Sequence, residues 1–143
     1  MEKNFFRNKN ILITGATGSI GSILVKSLFK LNCNVIRALS NDENGLYELG
    51  NNLDTKLQTN SNLRKNMRKA KIRLLHGDVR EYDRCLEATK EIDIVIHAAA
   101  MKHLPICEYN PKEAYKTNIN GTKNMIRASI KNKVKFFLFI STD

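Results

Sequence analysis

The sequence predicts an α/β fold, a doubly wound parallel sheet of about five strands with helices on both faces. Two observations indicate this fold. Short apolar segments alternate along the chain with segments in which apolar residues recur at helical spacing. Each apolar segment is also almost continuous, which is typical of parallel strands covered on both faces. At 143 residues, the chain is long enough for one domain with its own core.

The strands and helices can be assigned in order along the chain. Strands are predicted over residues 9–14, 34–39, 71–75, 92–99 and 136–140, and helices over residues 18–31, 43–49, 83–90 and 111–131. Pro111 suits the first turn of the last helix, which Gly121 interrupts. Residues 50–70 are polar, rich in Asn and Lys and without clear periodicity, so we expect an irregular, mobile segment there.

The formal net charge of +10 comes mainly from one segment, which has no acidic residue between Asp54 and Asp78. Its basic residues are Lys56, Arg64, Lys65, Arg68, Lys69, Lys71 and Arg73. A solvated basic insertion accounts for them, and attraction of an anionic nucleotide or of a partner surface is the alternative. Nucleic-acid recognition is disfavoured because no aromatic residues are interleaved with the basic ones.

Cysteine content and hydropathy limit the classes of protein further. Cys33, Cys85 and Cys107 are scattered without metal-ligand spacing, so we expect free thiols that pack in the fold and no metal site. No apolar segment approaches the roughly 20 residues of a membrane-spanning helix. Residues 1–10 lack the apolar part of a secretory signal. We therefore expect no membrane association and a cytoplasmic location.

A glycine-rich turn, GATGSIG at residues 15–21, follows the first predicted strand and opens the first predicted helix. In such a turn one glycine permits a tight bend, one admits a pyrophosphate close to the backbone, and one lets helix and strand pack closely. The phosphates then lie at the positive end of the helix. This context predicts a dinucleotide site on a Rossmann-type sheet, and a purely structural turn is the alternative.

The G-x-x-G-x-x-G spacing resembles that of the extended short-chain dehydrogenase/reductase superfamily. Three later segments strengthen the resemblance: HGDVR at residues 76–80, HAAA at residues 97–100 and the pair Thr117-Asn118. The segments SNDENGLYEL, AAAMKHLPICEYNPKEAYKTNINGT and FISTD are similar to the narrower, CapD-like branch of polysaccharide-biosynthesis dehydratases that act on UDP-N-acetylglucosamine. In that branch S-T-D precedes a lysine and, further on, Y-x-x-x-K, and neither occurs within these 143 residues.

The resemblance implies that residues 1–143 are the NAD(P)-binding Rossmann domain of a longer protein that supplies its catalytic and sugar-binding part elsewhere. It implies a UDP-sugar substrate and a homo-oligomeric full-length protein. With the glycine motif, it implies cofactor contacts from Gly15, Thr17, Gly18, Ser19, Ile20, Gly21, Ser40, Asn41, Asp42, Asp78, Val79, Ala98, Ala99, Ala100 and Asn118.

The resemblance also implies roles on the substrate side. Asp143 would protonate the departing hydroxyl, and Thr142 would hold the C4 oxygen of the sugar. Alternatively, Asp143 is a plain loop carboxylate. Lys102 and His103 would contact substrate, with a solvated loop as the alternative. His97 is interpreted as a packed histidine beside the cofactor in preference to a catalytic one.

The choice of cofactor depends on the end of the second strand. A carboxylate there favours NAD by binding the ribose 2′-hydroxyl, and Asp42 and Glu43 come one step later than that position. Many members of the branch have an arginine where this chain has Asn41, and Arg37 could replace it only if its side chain reaches the pocket. We expect NADP slightly more than NAD.

Three functions fit the sequence. The first is the cofactor-binding part of a UDP-N-acetylglucosamine 4,6-dehydratase. A nucleotide-sugar 4-epimerase shares the first hydride transfer but loses no water. A non-catalytic NAD(P)-binding module would bind the cofactor without turnover.

Overall fold

A computed structural model describes residues 5–59 and 71–141, without the side chains of residues 54–59. Five strands form one sheet in the order β3-β2-β1-β4-β5, and all four pairings are parallel. The strands are β1 (Asn10–Thr14), β2 (Val35–Ser40), β3 (Lys71–His76), β4 (Ile94–His97) and β5 (Phe136–Phe139). The predicted doubly wound parallel sheet is confirmed.

Helices connect the strands on both faces of the sheet. They are α1 (Ser19–Leu28), α2 (Glu43–Thr59), α3 (Tyr82–Ala88), α4 (Leu104–Tyr109), α5 (Pro111–Tyr115) and α6 (Thr122–Lys131), with a π-helical segment (Lys116–Gly121) between the last two. Pro111 begins α5, as predicted. The helices therefore cover both faces of the sheet. Because the side chains of each strand alternate between the two faces, the core has two parts.

Two apolar cores result from that alternation. On one face Ile11 and Ile13 of β1 pack with Val25 of α1 and with α2. On the other face Leu12 packs with α3 and with Met125 of α6. Successive strand residues point to opposite faces, so β1 contributes side chains to both cores and is covered on both sides.

The edge strands depart from the prediction of burial on both faces. β1 and β4 are buried almost throughout, whereas β3 and β5 are largely exposed. On β5 Phe136, Leu138 and Phe139 are each about half exposed. A continuous apolar segment therefore predicts a strand at these positions without predicting that it lies in the interior.

The predicted secondary structure is wrong in three places. The second helix continues to Thr59, because Leu46, Leu49 and Leu53 recur at helical spacing and are buried against the sheet. The prediction of an irregular segment is thus wrong for residues 50–59, and residues 60–70 lie outside the described part of the chain. Helix α4 was not predicted, since none of its residues is buried. β4 is shorter than predicted because the N–H groups of Ala98 and Ala99 bond to the Thr14 hydroxyl.

The cysteines and the helices bear on the class of protein. Cys33 and Cys85 are buried packing residues, as predicted, and burial raises their pKa values to about 11 and about 12. Cys107 is half-buried. Among the helices that the structure describes, none has the length and apolarity needed to cross a bilayer.

Asp93 ties the amino ends of three strands together, which gives a prediction about pH. Its carboxylate accepts hydrogen bonds from the Asn10 N–H (2.9 Å) and the Lys135 ammonium (3.0 Å). Partial burial opposes ionisation, but these two donors outweigh it, so the pKa of Asp93 lies below its ordinary value. A lowered pKa adds stability that is complete above the ordinary pKa and is lost as the pH falls through the folded-state value.

We therefore expect Asp93→Asn to lower the free energy of unfolding at neutral pH by about 1 kcal/mol. The difference from wild type should shrink as denaturant titrations are repeated at pH values below the ordinary carboxyl pKa. Glu87→Gln is the control, because its ion pair with Arg84 is exposed and should contribute less than about 0.5 kcal/mol. A difference for Asp93→Asn that persists unchanged at low pH would contradict this role.

Candidate functional site

A cleft of about 800 Å³ lies along the carboxyl ends of all five strands. Its size is within the usual range for small-molecule sites. In open parallel sheets, ligands bind where the strand order reverses. Here the reversal lies between β1 and β4, because β2 and β3 extend the sheet to one side and β4 and β5 to the other. Residues that follow both of these strands line the cleft, Gly15 after β1 and Ala98 after β4.

The three glycines of the turn after β1 have different surroundings. Gly15 has a φ of 63°, and a Cβ there would lie 2.8 Å from the backbone of Ala98 and Ala99. A Cβ on Gly21 would lie 2.1 Å from the Gly15 carbonyl oxygen, whereas one on Gly18 would lie 3.3 Å from it. Gly15 therefore lets the turn meet the loop after β4, and Gly21 lets α1 pack on the turn. The region in front of Gly18 is open to the cleft.

The amino end of α1 faces the cleft without a capping side chain. Gly18 is the N-cap residue, and the first turn contains no acidic residue. The first N–H groups of a helix have no acceptor within it, and the helix dipole makes this end positive. Ser19 and Ile20 both line the cleft. An anionic group such as a pyrophosphate fits this arrangement.

One end of the cleft, beside β2 and β3, is polar and acidic. Thr17 Oγ1 and Ser40 Oγ lie 2.8 Å apart. Asp78 is partly buried, which raises its pKa, but the hydrogen bonds and charge of Arg80 and a hydrogen bond from Asn41 outweigh this, so its pKa is lowered. Arg80 also pairs with Glu113 of α5 (2.7 Å). Its guanidinium is therefore shared between two carboxylates.

Asp42 and Arg37, two residues that the sequence suggested for binding the cofactor ribose, instead form hydrogen bonds within the fold. Asp42 is absent from the cleft lining, and its carboxylate accepts the Gly45 N–H (3.0 Å) at the start of α2. Arg37 donates to the carbonyls of Ala88 and Lys90 at the end of α3. Its side chain does not reach the pocket, so the condition on which Arg37 could favour NADP is not met.

At the other end of the cleft, a hydrogen-bonded group of side chains holds the loop after β4. His97 is fully buried, with Nδ1 2.7 Å from Thr14 Oγ1 and Nε2 3.0 Å from Thr122 Oγ1. Burial lowers its pKa to about 4. Asn118 accepts the Met101 N–H (2.8 Å) and donates to the Met101 carbonyl (2.9 Å). His97 is thus a packed residue beside the cleft, which agrees with the preferred interpretation of the sequence.

Most residues predicted to bind the cofactor line this one cleft. They are Gly15, Thr17, Gly18, Ser19, Ile20, Gly21, Ser40, Asn41, Asp78, Val79, Ala98, Ala99, Ala100 and Asn118. Of the predicted substrate residues, Lys102 lines the cleft and His103 does not. Thr142 and Asp143 lie outside the described residues, directly after Ser141, which lines the cleft. Within the described residues, no cluster of three His, Cys, Asp or Glu side chains could hold a metal ion.

Sequence reasoning missed several residues of the cleft. They include Arg80, Met101, Ile106, Asn110, Glu113, Thr122, Phe139 and Ile140. The resemblance pointed to HGDVR as a unit, which includes Arg80, but gave no partner for it. Glu113 contacts Arg80 after β3, and Thr122 contacts His97 of β4. Nothing in the spacing of these residues along the sequence predicts either contact. The basic residues of β3, Lys71 and Arg73, are exposed, and the other basic residues of that segment lie outside the described side chains.

The sequence is similar to a known protein family and to several characterised relatives. Residues 11–143 match the polysaccharide biosynthesis protein family. An uncharacterised membrane protein of Methanocaldococcus jannaschii is 46% identical over 98% of the chain and 38% of its own length. A UDP-N-acetylglucosamine 4,6-dehydratase (inverting) of Campylobacter jejuni is 43% identical, with 96% of the chain and 37% of the relative covered. A UDP-glucose 4-epimerase of Rickettsia bellii is 37% identical, with 96% and 38% covered.

A solved structure supports the fold. That of Pen from Bacillus thuringiensis superposes with a TM-score of 0.82 at 41% identity, covering 94% of this chain and 37% of that one. The chain thus spans somewhat more than a third of the length of the curated relatives that it matches. The similarity therefore reaches the strands and loops that form the cleft.

The different surroundings of the glycines give a prediction about stability. Gly21→Ala should lower the free energy of unfolding by about 2–3 kcal/mol, because the new Cβ meets backbone that cannot move aside cheaply. Gly18→Ala should cost only about 1 kcal/mol, since its φ of −67° suits alanine and alanine is merely a poor N-cap. Denaturant unfolding of the two variants measures the difference. Equal losses would contradict the assignment of separate roles.

Proposed function

Because the chain belongs to the polysaccharide biosynthesis protein family, we propose that it is the cofactor-binding part of a nucleotide-sugar 4,6-dehydratase that acts on UDP-N-acetylglucosamine. One observation carries the proposal. A single cleft extends from the uncapped amino end of α1 to Ser141, next to Thr142 and Asp143 in the chain. The similarity to the Campylobacter jejuni dehydratase over 96% of the chain supports the choice of reaction.

The residues present fit a dinucleotide. Apart from the Gly15 carbonyl oxygen, a Cβ on Gly18 would face open space, which leaves room for a pyrophosphate. The first N–H groups of α1, which have no capping side chain, would supply donors. The adenosine half then lies toward Asn41 and Asp78, and the nicotinamide half toward the loop after β4. The roles of individual residues in binding the cofactor are part of the proposal.

We favour NAD over NADP at this site. The end of β2 holds the ribose of the adenosine half in folds of this kind. Next to that end, in the loop after β3, lies the ionised Asp78, which is hydrogen-bonded to Asn41. Among the described residues that line this end of the cleft, the cation is Arg80, and it already pairs with Asp78 and Glu113. A 2′-phosphate would meet the Asp78 carboxylate without an available counter-charge. The slight preference for NADP drawn from the sequence finds no support in this arrangement.

In the proposed reaction, the residues near the ends of β4 and β5 would act on the sugar. A bound cofactor would supply an acceptor for the hydride of sugar C4 and return that hydride to C6, after the C5 proton and the C6 hydroxyl have left as water. The base that takes the C5 proton would come from outside residues 1–143. Thr142 would hold the C4 oxygen, and Asp143 would protonate the departing C6 hydroxyl, which requires a carboxyl that is protonated at the start of that step. Lys102, which lines the cleft, and His103, the residue before α4, would contact the UDP-sugar.

A 4-epimerase is the second candidate, because the Rickettsia bellii epimerase is similar over the same part of the chain. Both enzymes would use the same cofactor cleft. They differ in that epimerisation needs no acid for the C6 hydroxyl. A non-catalytic module would bind the cofactor and turn over nothing. The homo-oligomeric state and the cytoplasmic location stay predictions.

Incubation of the full-length protein containing this chain with UDP-N-acetylglucosamine tests the reaction. We expect mass spectrometry to show a product lighter by one water, and Asp143→Asn to lower the rate by about 100-fold or more, as loss of a general acid does. Asp83→Asn is a control carboxylate outside the cleft, exposed on α3, and should leave the rate unchanged. A product of unchanged mass with inverted C4 would favour the epimerase, and no product would favour the non-catalytic module.

Calorimetry with NAD⁺ and NADP⁺ tests the cofactor preference. The wild-type protein should bind NAD⁺ more tightly, and Asn41→Arg should shift the ratio of the two affinities toward NADP⁺ by about tenfold, because it adds a charge beside the 2′ position. Asn41→Gln retains a neutral amide and serves as the matched control. Tighter binding of NADP⁺ by the wild-type protein would contradict the preference proposed for Asn41 and Asp78.

A further inference from the structure

The hydrogen bonds around His97 determine which ring nitrogen carries the proton. The Thr122 hydroxyl lies 2.7 Å from the Asn118 carbonyl oxygen, which can only accept, so Thr122 donates its one proton there. It must then accept from the His97 Nε2–H at 3.0 Å. Nδ1 is left with a lone pair and accepts the hydroxyl proton of Thr14. His97 is therefore neutral and protonated on Nε2.

The same proton directions extend to the loop after β4. With its proton given to His97, Thr14 Oγ1 has two lone pairs, and these accept the N–H groups of Ala98 and Ala99, each at 3.2 Å. A second proton on His97 would point Nδ1–H at a hydroxyl whose lone pairs are already used. Burial lowers the pKa of His97 to about 4, consistent with a ring that stays neutral at physiological pH.

Asn118, on the other side of Thr122, holds the loop after β4 at a second point. Asn118 lies in the π-helical segment, a feature that often occurs at functional sites. Its side-chain amide forms a pair of hydrogen bonds with the backbone of Met101, and its backbone carbonyl oxygen accepts the hydroxyl proton of Thr122. The ring centroids of Phe137 and Phe139 on β5 lie 6.0 and 5.7 Å from that of His97, so both rings pack against it. Residues 98–101 are thus bound to β1 at one end and to the π-helical segment at the other.

We propose that Thr14, His97 and Thr122 form a positioning relay that holds residues 98–101 against the nicotinamide half of the cofactor. This inference rests on the proposed function. Thr14 and His97 are fully buried and absent from the cleft lining, so they act through the loop and not by contact with the ligand. Loss of the relay should weaken binding of the nicotinamide half and leave binding of the adenosine half, near Asn41 and Asp78, unchanged.

Calorimetry of the full-length protein with NAD⁺ and with ADP as probes separates the two halves. Thr14→Val keeps the shape of the side chain and leaves the Ala98 and Ala99 N–H groups without an acceptor. We expect it to weaken NAD⁺ binding about tenfold while ADP binding changes by less than about twofold. Thr14→Ser should restore NAD⁺ binding, because it restores the hydroxyl. Thr122→Val is a second variant, in case Thr14→Val fails to fold. Because Thr122 itself lines the cleft, its effect on NAD⁺ binding supports the relay only if NMR shows that the ring nitrogens of His97 change in this variant as well.

Thr89→Val is the matched control. Thr89 is also a fully buried threonine with hydrogen bonds from its hydroxyl, but it ends α3 outside the cleft lining. It should lower stability and leave the ratio of NAD⁺ to ADP affinity unchanged. A merely structural role for Thr14 predicts the same result as for Thr89, with equal effects on both probes. That result, or unchanged NAD⁺ binding in both valine variants, would overturn the proposal.

Nitrogen NMR of histidine-labelled protein tests the relay without any cofactor, with His97→Gln used to assign the signals. The proposal predicts a protonated Nε2 and an unprotonated Nδ1 for His97. A proton on Nδ1 would overturn it. If the wild-type protein binds neither NAD⁺ nor ADP, the proposed cofactor site fails, and the NMR result still decides the hydrogen-bond directions of the relay.

Discussion

The approach of the turn after β1 to the loop after β4 is the constraint on which the site depends. Parallel pairing sets Thr14 opposite His97, so the residues that follow each strand must share the space at the point where the strand order reverses. Gly15 meets that requirement by having no Cβ, and Thr14 meets it by accepting the N–H groups of Ala98 and Ala99. Both segments line the cleft, so this contact forms part of its wall.

That contact also explains how the cleft is divided. On the side of β2 and β3, acidic and amide groups such as Asp78 and Asn41 are suited to hydrogen bonding with a neutral ribose and base. On the side of β4 and β5, the loop presents small side chains and is held from behind by buried groups. The amino end of α1 lies between them and supplies the donors for a pyrophosphate. A dinucleotide has the same three parts in the same order.

The sequence was sufficient for the strands and the glycine turn, because burial of β1 and β4 and the steric demands at Gly15 and Gly21 act locally. It was insufficient where contacts join distant segments. The pairing of Arg80 with Glu113 spans 33 residues, and the relay through Thr122 needs a register between β4 and α6 that periodicity cannot supply. For α2, the spacing of Leu46, Leu49 and Leu53 was a usable sign, but the polar residues around them obscured it.

A crystal structure of the full-length protein with bound NAD⁺ tests the proposed cofactor site most directly. We expect pyrophosphate oxygens within hydrogen-bond distance of the Ser19 and Ile20 N–H groups, adenosine beside Asn41 and Asp78, and nicotinamide beside residues 98–101. A dinucleotide bound in the reverse direction, or one that leaves the start of α1 without contacts, would contradict it.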